Sequence, residues 1–284
     1  MPSFSPGDPS RPSALPPLSL QVFSILSGLV AEHAALHFDV SHLPLFADKV
    51  GERAVEAGFD SLLDYYYFLR YDPGGRAELD VLIESLVVNE TYLFRELPPL
   101  ELMVTDLVAP AVDAGRRPRI WCAACSTGEE PHTIAMLLAA RGLLERVELV
   151  ASDISAAALA RAQSGRLARR SLRQPLPRFA ERWVDSNEDG LSIRPRLTEA
   201  IEWRRINLLD ETAIAALGAF DAIVCRNVLI YFADATSGRV VERLAQSLRP
   251  GGALFVGISE SLLRFGGSLV CEEKNGVFLY KRSP

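Results

Sequence analysis

The chain has 284 residues, 49% of them hydrophobic and 23% charged, which is ordinary globular composition and enough to bury the core of one large domain or two smaller ones. A formal net charge of -6 argues against a general nucleic-acid binder, because neutralising phosphates needs a basic surface. No apolar run reaches the roughly 18 to 20 residues of a membrane span, and the Pro- and Ser-rich Met1 to Pro17 lacks the apolar centre of a signal peptide. The expectation is a cytoplasmic protein with a disordered tail over 1–17, no direct membrane insertion and no nucleic-acid partner.

From Leu18 to about Pro98 the pattern is helical. Val22, Ile25, Leu26, Leu29 and Val30 recur at spacings of three and four, and similar periodicity follows over Leu45–Ala57, Ser61–Arg70 and Glu78–Val88. Ser61 suits a helix cap, and Asp72-Pro73-Gly74-Gly75 suits a turn. The spacing predicts a helical N-terminal domain of four helices over 18–98.

Beyond Pro98 and Pro99 short apolar runs alternate with helical stretches. Strands are predicted at Arg119–Ala123, Val147–Ala151, Ile201–Ile206, Ala222–Cys225 and Ala253–Ile258, and helices at Glu130–Arg141, Ser155–Gln163 and Ser237–Leu248. That alternation implies an α/β domain over 99–284, with a mostly parallel sheet between helices. Pro175, Pro177, Pro195 and the turn Asn187-Glu188-Asp189-Gly190 interrupt it, so 165–196 reads as an inserted subdomain with short antiparallel strands near Trp183–Val184 and Leu191–Ile193. Between Arg161 and Arg182 lie seven arginines and a single acid, Glu181, which reads as a solvated face or as a docking surface for acidic protein.

The first strand runs into Cys122-Ala123-Ala124-Cys125-Ser126-Thr127-Gly128, whose small side chains let a ligand approach the backbone, and the next helix opens with Glu129-Glu130-Pro131. The G-x-G-x-x-G fingerprint is absent, and two carboxylates at a helix N-terminus repel a pyrophosphate while tolerating a ribose or a cationic sulfonium. Asp153 follows Gly128 by about 25 residues, near the roughly 20-residue interval at which an acid binds ribose hydroxyls; its duller reading is a cap for the next helix.

Five segments together make the reading specific: Asn89-Glu90-Thr91-Tyr92-Leu93-Phe94-Arg95-Glu96, Cys125 to Pro131, Ala151-Ser152-Asp153, Asn207-Leu208-Leu209-Asp210, and Cys225-Arg226-Asn227-Val228-Leu229-Ile230-Tyr231-Phe232. In this order they resemble the chemotaxis-receptor (CheR-type) methyltransferase family. The resemblance implies a Rossmann-like class I S-adenosylmethionine methyltransferase domain, with a small antiparallel β insertion, behind an all-helical domain. It implies methyl esters on glutamate side chains of a methyl-accepting chemoreceptor or related signalling protein, with S-adenosylhomocysteine as the other product. Asn89, Thr91, Arg95, Glu130, Asp153, Asn207, Leu208, Arg226 and Asn227 match the cofactor positions, and Arg95 and Tyr231 match positions beside the transferring methyl. No metal is implied.

Some positions depart from the family's pattern. Lys49 and Arg53 stand among Asp48, Glu52 and Glu56 where members that dock on receptor helices often carry a basic second helix; Gly165-Arg166-Leu167 lacks the usual aromatic after the glycine; and Ala124 replaces a frequent glycine. Competing readings are a cofactor-binding scaffold without turnover, a methyltransferase for another carboxylate, and a redox or zinc site at Cys122 and Cys125. The carboxylates beside those thiols disfavour thiolate.

Overall fold

The computed structural model describes residues 16–188, 190–265 and 267–283; most of the expected tail lies outside them. Two compact units divide between Val88 and Asn89, ahead of the Pro98–Pro99 junction expected from composition. The shift moves Asn89, Thr91 and Arg95 from the expected helical domain over 18–98 into the second unit.

The first unit consists of α1 (Leu20–Ala34), α2 (Leu43–Glu56), α3 (Leu62–Tyr71) and α4 (Gly75–Leu86), with a short 3-10 turn over Val40–His42. Ser19 caps α1 by accepting from Val22 N, and Ser61 caps α3 by accepting from Asp64 N, each filling an otherwise orphaned donor. The buried faces are Phe23, Leu26, Leu29 and Val30 on α1, Phe46, Val50 and Ala54 on α2, and Leu79, Leu82, Ile83 and Leu86 on α4. Glu78 ties the bundle together: Arg53 donates to both of its oxygens, Nε at 2.6 Å and Nη2 at 2.7 Å, and the Tyr65 hydroxyl donates at 2.8 Å. Burial and the adjacent carboxylate push the Tyr65 hydroxyl well above its ordinary pKa, so it stays a donor. Arg53, half-buried, is therefore committed to Glu78 and Glu56 within its own unit and leaves α2 little free basic surface.

The second unit runs α5 (Leu97–Met103), α6 (Ala109–Asp113), β1 (Arg119–Ala123), α7 (Glu129–Ala140), β2 (Glu148–Asp153), α8 (Ala156–Ser164), β3 (Arg166–Leu167), β4 (Val184–Asn187), β5 (Gly190–Ile193), α9 (Pro195–Glu199), β6 (Ile201–Arg205), α10 (Glu211–Ala216), β7 (Phe220–Val224), α11 (Asp234–Gln246), β8 (Leu248–Phe255), β9 (Leu269–Lys274) and β10 (Val277–Arg282). Seven strands form one sheet in the order β6-β2-β1-β7-β8-β10-β9, parallel from β6 to β8 and antiparallel at β10 and β9. The insertion folds as a separate antiparallel sheet, β3-β5-β4, one strand more than its sequence suggests.

Alternation along the strands separates two cores. Ile120 and Cys122 of β1 join Leu149, Ala151, Ala222, Val224 and Phe255 on one face, where Ile134, Ala135 and Leu138 of α7 pack. Trp121 and Ala123 point the other way, toward Ile223, Leu254 and the α11 residues Val240, Val241 and Leu244. The insertion belongs to the first core through Leu167, Trp183, Val184, Leu191 and Ile193. Strand order reverses between β1 and β7, and in open α/β sheets a ligand crevice forms outside the carboxyl ends at such a point.

Replacing Glu78 by Ala leaves the Tyr65 hydroxyl without its acceptor and the Arg53 guanidinium with only Glu56, and is expected to cost about 2 kcal/mol. Urea unfolding of the variant checks this; a loss below about 0.5 kcal/mol, the scale of a surface pair, would contradict it.

Candidate active site

The crevice is built from backbone that few side chains tolerate. Of seven non-glycine residues with positive φ among the described residues, five lie here: Phe94 and Glu96 in the segment before α5, Ala124 and Ser126 after β1, and Asn227 after β7. Such conformations persist where surrounding contacts hold them, and they concentrate at functional sites. Ala124, at φ 58°, adopts a backbone that glycine enters more easily. Gly128 has φ 93° and lies so close to α8 that a Cβ would sit 2.7 Å from Ala162 Cβ, so only glycine fits.

Asp153, at the end of β2, pins this loop. Its Oδ2 accepts from Ser126 N at 2.7 Å and its Oδ1 from Ser155 N at 2.9 Å. The N-cap of α8 is Ser155, which accepts from Ala158 N. Asn89 meets the same loop by accepting from Ser126 Oγ at 3.1 Å. The two glutamates opening α7 have different duties. Glu129 is 2% exposed and accepts from the Thr127 and Ser171 hydroxyls, both at 2.7 Å, whereas Glu130 accepts from Cys122 Sγ at 2.9 Å and meets Arg226.

Arg226 is the centre of the charge arrangement, with 1% of its side chain exposed. Nη2 donates to Arg95 O at 2.6 Å and lies 3.4 Å from Glu96 Oε2. Nη1 is 3.1 Å from Glu130 Oε2, an ion-pair distance, but its N–H bonds are not aligned with that oxygen; Nε and Nη1 both lack a hydrogen-bond acceptor among the described residues. Desolvation pushes the Glu130 carboxyl up, against the pull of Arg226 and the Cys122 thiol. Cys122, Cys125 and Cys225 are buried, and burial raises all three thiols well above their ordinary range, which opposes redox chemistry.

Arg95 donates through Nη1 to Glu90 O at 3.2 Å and lies 5.6 Å from the centre of the Tyr92 ring. Its ion pair with Glu96 is long, 3.9 Å. Tyr231 is half-buried in the turn after Asn227, and desolvation raises its hydroxyl pKa while nearby Arg95 lowers it. Thr91 is half-buried in the segment before α5, and Asn207 and Leu208 follow β6, with Asn207 Oδ1 accepting from Leu209 N at 2.9 Å.

One residue that the motifs passed over is Glu260, 7% exposed after β8. It accepts from Asn227 N at 2.6 Å, Gly257 N at 2.9 Å and Ile230 N at 3.3 Å, which holds Asn227 in its left-handed conformation. Its signal was a carboxylate immediately beyond the carboxyl end of a predicted strand.

A seven-stranded sheet with this order, an acid ending its second strand and a glycine-terminated small-residue loop after its first define a class I S-adenosylmethionine-dependent methyltransferase. The chain belongs to the CheR methyltransferase family: the family model described as "CheR methyltransferase, SAM binding domain" matches residues 89–274. It is 36% identical over 226 residues to chemotaxis protein methyltransferase 2 of Vibrio cholerae, covering 77% of this chain and 78% of that protein. It is also 36% identical to the probable biofilm formation methyltransferase WspC of Pseudomonas aeruginosa, covering 78% of this chain and about half, 55%, of that longer protein. Among solved structures, magnesium protoporphyrin IX methyltransferase from Synechocystis is similar at 14% identity and TM-score 0.36, covering 83% of this chain and 97% of that one.

The donor set suits the cofactor. Unsatisfied guanidinium donors beside two carboxylates fit a zwitterionic amino acid that also carries a sulfonium.

Glu260→Ala leaves three backbone N–H groups without their acceptor and is expected to lower stability by about 2–3 kcal/mol, with Glu260→Gln recovering part of it, as read by urea midpoints. For Glu130 the raised folded pKa sets the sign. Its stabilising contribution is complete below the ordinary carboxyl value of 4.5 and is lost as pH rises through the elevated folded value. Glu130→Gln is neutral throughout, so its stability should improve relative to wild type as pH rises from the acid side to neutrality; a pH-independent difference would contradict this.

Proposed function

We propose that the chain esterifies glutamate side chains of a methyl-accepting chemoreceptor or a related signalling protein, acting in the cytoplasm. The observation that carries this reading is Arg95, before α5, close enough to Tyr231, in the turn after β7, to lower its hydroxyl pKa, with Glu96, Glu130 and Arg226 alongside. The names of the relatives support a chemosensory setting, and the relative named for biofilm formation supports an output that need not be swimming.

When bound, S-adenosylmethionine supplies an electrophilic methyl group on sulfur. Arg226 and Glu130 are assigned to the charged amino-acid part, Asp153 to the ribose, Asn207 and Leu208 to the adenine edge, and Asn89, Thr91, Arg95 and Asn227 to the remaining contacts. A glutamate acceptor has a reference pKa of about 4.3, so it is an anion at neutral pH and needs no general base. The Arg95 guanidinium is suited to hold that carboxylate through paired N–H bonds. Tyr231, with its pKa raised by desolvation, remains protonated and acts as a donor that fixes orientation. Alignment and exclusion of water then supply the rate, because two opposite charges vanish as the ester forms.

Incubation with methyl-labelled S-adenosylmethionine and membranes containing chemoreceptors, followed by mass spectrometry, is expected to find base-labile methyl esters on glutamates. Arg95→Ala should reduce labelling about 100-fold or more with a much smaller change in S-adenosylhomocysteine affinity, whereas Asp153→Ala should weaken that affinity about tenfold. Label on another side-chain type would overturn the acceptor assignment, and wild-type turnover in Arg95→Ala would remove Arg95 from the reaction.

A further inference from the structure

The proposed chemistry leaves unused the arginine-rich run that begins in α8. Arg161, Arg166 and Arg170 line a cavity of about 400 Å³, together with Asn89, Thr91, Thr127 and Ser171. We propose that this cavity docks an acidic stretch of the methyl-accepting protein, holding carboxylates that flank the reacting glutamate. The inference rests on the reading that the acceptor is a protein carboxylate.

The three guanidinium groups are exposed and have no side-chain hydrogen bond or ion pair among the described residues. Their neighbours in the same run are committed: Arg173 pairs with Glu90, and Arg182 lies 4.7 Å over the Trp183 ring. The one carboxylate in the wall, Glu129, spends its oxygens on the Thr127 and Ser171 hydroxyls. Three cationic groups therefore converge on one concavity of a chain whose net charge is -6, a local field that selects anions.

The rest of the wall chooses among anions. Hydroxyls and an amide line it and no aromatic ring does, so a nucleobase finds no stacking platform. Carboxylates on neighbouring side chains match separate guanidinium forks. Location agrees: Asn89 lines this cavity and also accepts from Ser126 in the loop after β1. Asn89 and Thr91, both assigned to the cofactor, are part of its wall, whereas Asp153, Arg226 and Asn227 are not, so the cavity adjoins one edge of the cofactor positions.

The test is fluorescence polarisation of labelled hexaglutamate titrated into the full chain with S-adenosylhomocysteine present. Saturable binding that weakens with salt is expected. The Arg166→Ala/Arg170→Ala double variant should lose about tenfold in affinity, with S-adenosylhomocysteine affinity unchanged. Arg178→Ala, exposed in the same run but outside the cavity, should bind as wild type. Equal loss in Arg178→Ala would mean general charge attraction, weakened S-adenosylhomocysteine binding in the double variant would make the cavity part of the cofactor site, and displacement by low inorganic phosphate would make it a small-anion site; each overturns the proposal. Because binding is read without methyl transfer, intact hexaglutamate binding with no methyl ester on any protein counts against the acceptor reading alone. Esters formed with unaltered binding in the double variant count against the cavity alone.

Discussion

A guanidinium removed from water must be paid back in partners, and Arg226 obtains three of them from two separate stretches of chain: the carbonyl of Arg95 and the carboxylate of Glu96 from one, and the carboxylate of Glu130 from the other. The two stretches reach it by different paths through the fold. Glu130 is there because the loop after β1 turns at Gly128 into α7, and Glu96 because the chain bends through left-handed residues before α5. The strand that carries Arg226 itself ends in a backbone turn held by Glu260. The strained conformations around the crevice are thus tied to one buried charge and its network.

The network also sets the electrostatic character of the site. One buried cation and two nearby acids leave neither a strongly positive nor a strongly negative cavity, which is the environment an internally compensated ligand requires. Asp153 belongs to the same frame, accepting from the backbone N–H groups of Ser126 and Ser155.

Much of this was legible in the chain. Strand and helix alternation after Pro99, the small-residue loop and Asp153 located the crevice, because period and residue size are local properties. Glu260 was not legible, since its role depends on three backbone groups from two turns. The domain division was misplaced because Pro98 and Pro99 open α5 instead of separating units. The antiparallel pair β9 and β10 was overlooked although Asn275-Gly276, both at positive φ, joins strands that pair from Lys274 and Val277 onward; that dipeptide between apolar runs is a strong hairpin signal. Arg53 could be read as surface charge until its partner, 25 positions away, was known.

The three-stranded insertion has a consequence for how such a chain can change. It lengthens the connection between β2 and β6, adjacent parallel strands of the main sheet, yet closing a longer connection is entropically mild, about 0.6 kcal/mol for each doubling. Its own apolar residues repay that by joining the existing core. Its outward positions are consequently free to diverge without disturbing the strands that frame the crevice, so this interval can acquire new recognition while the chemistry beside it stays constant.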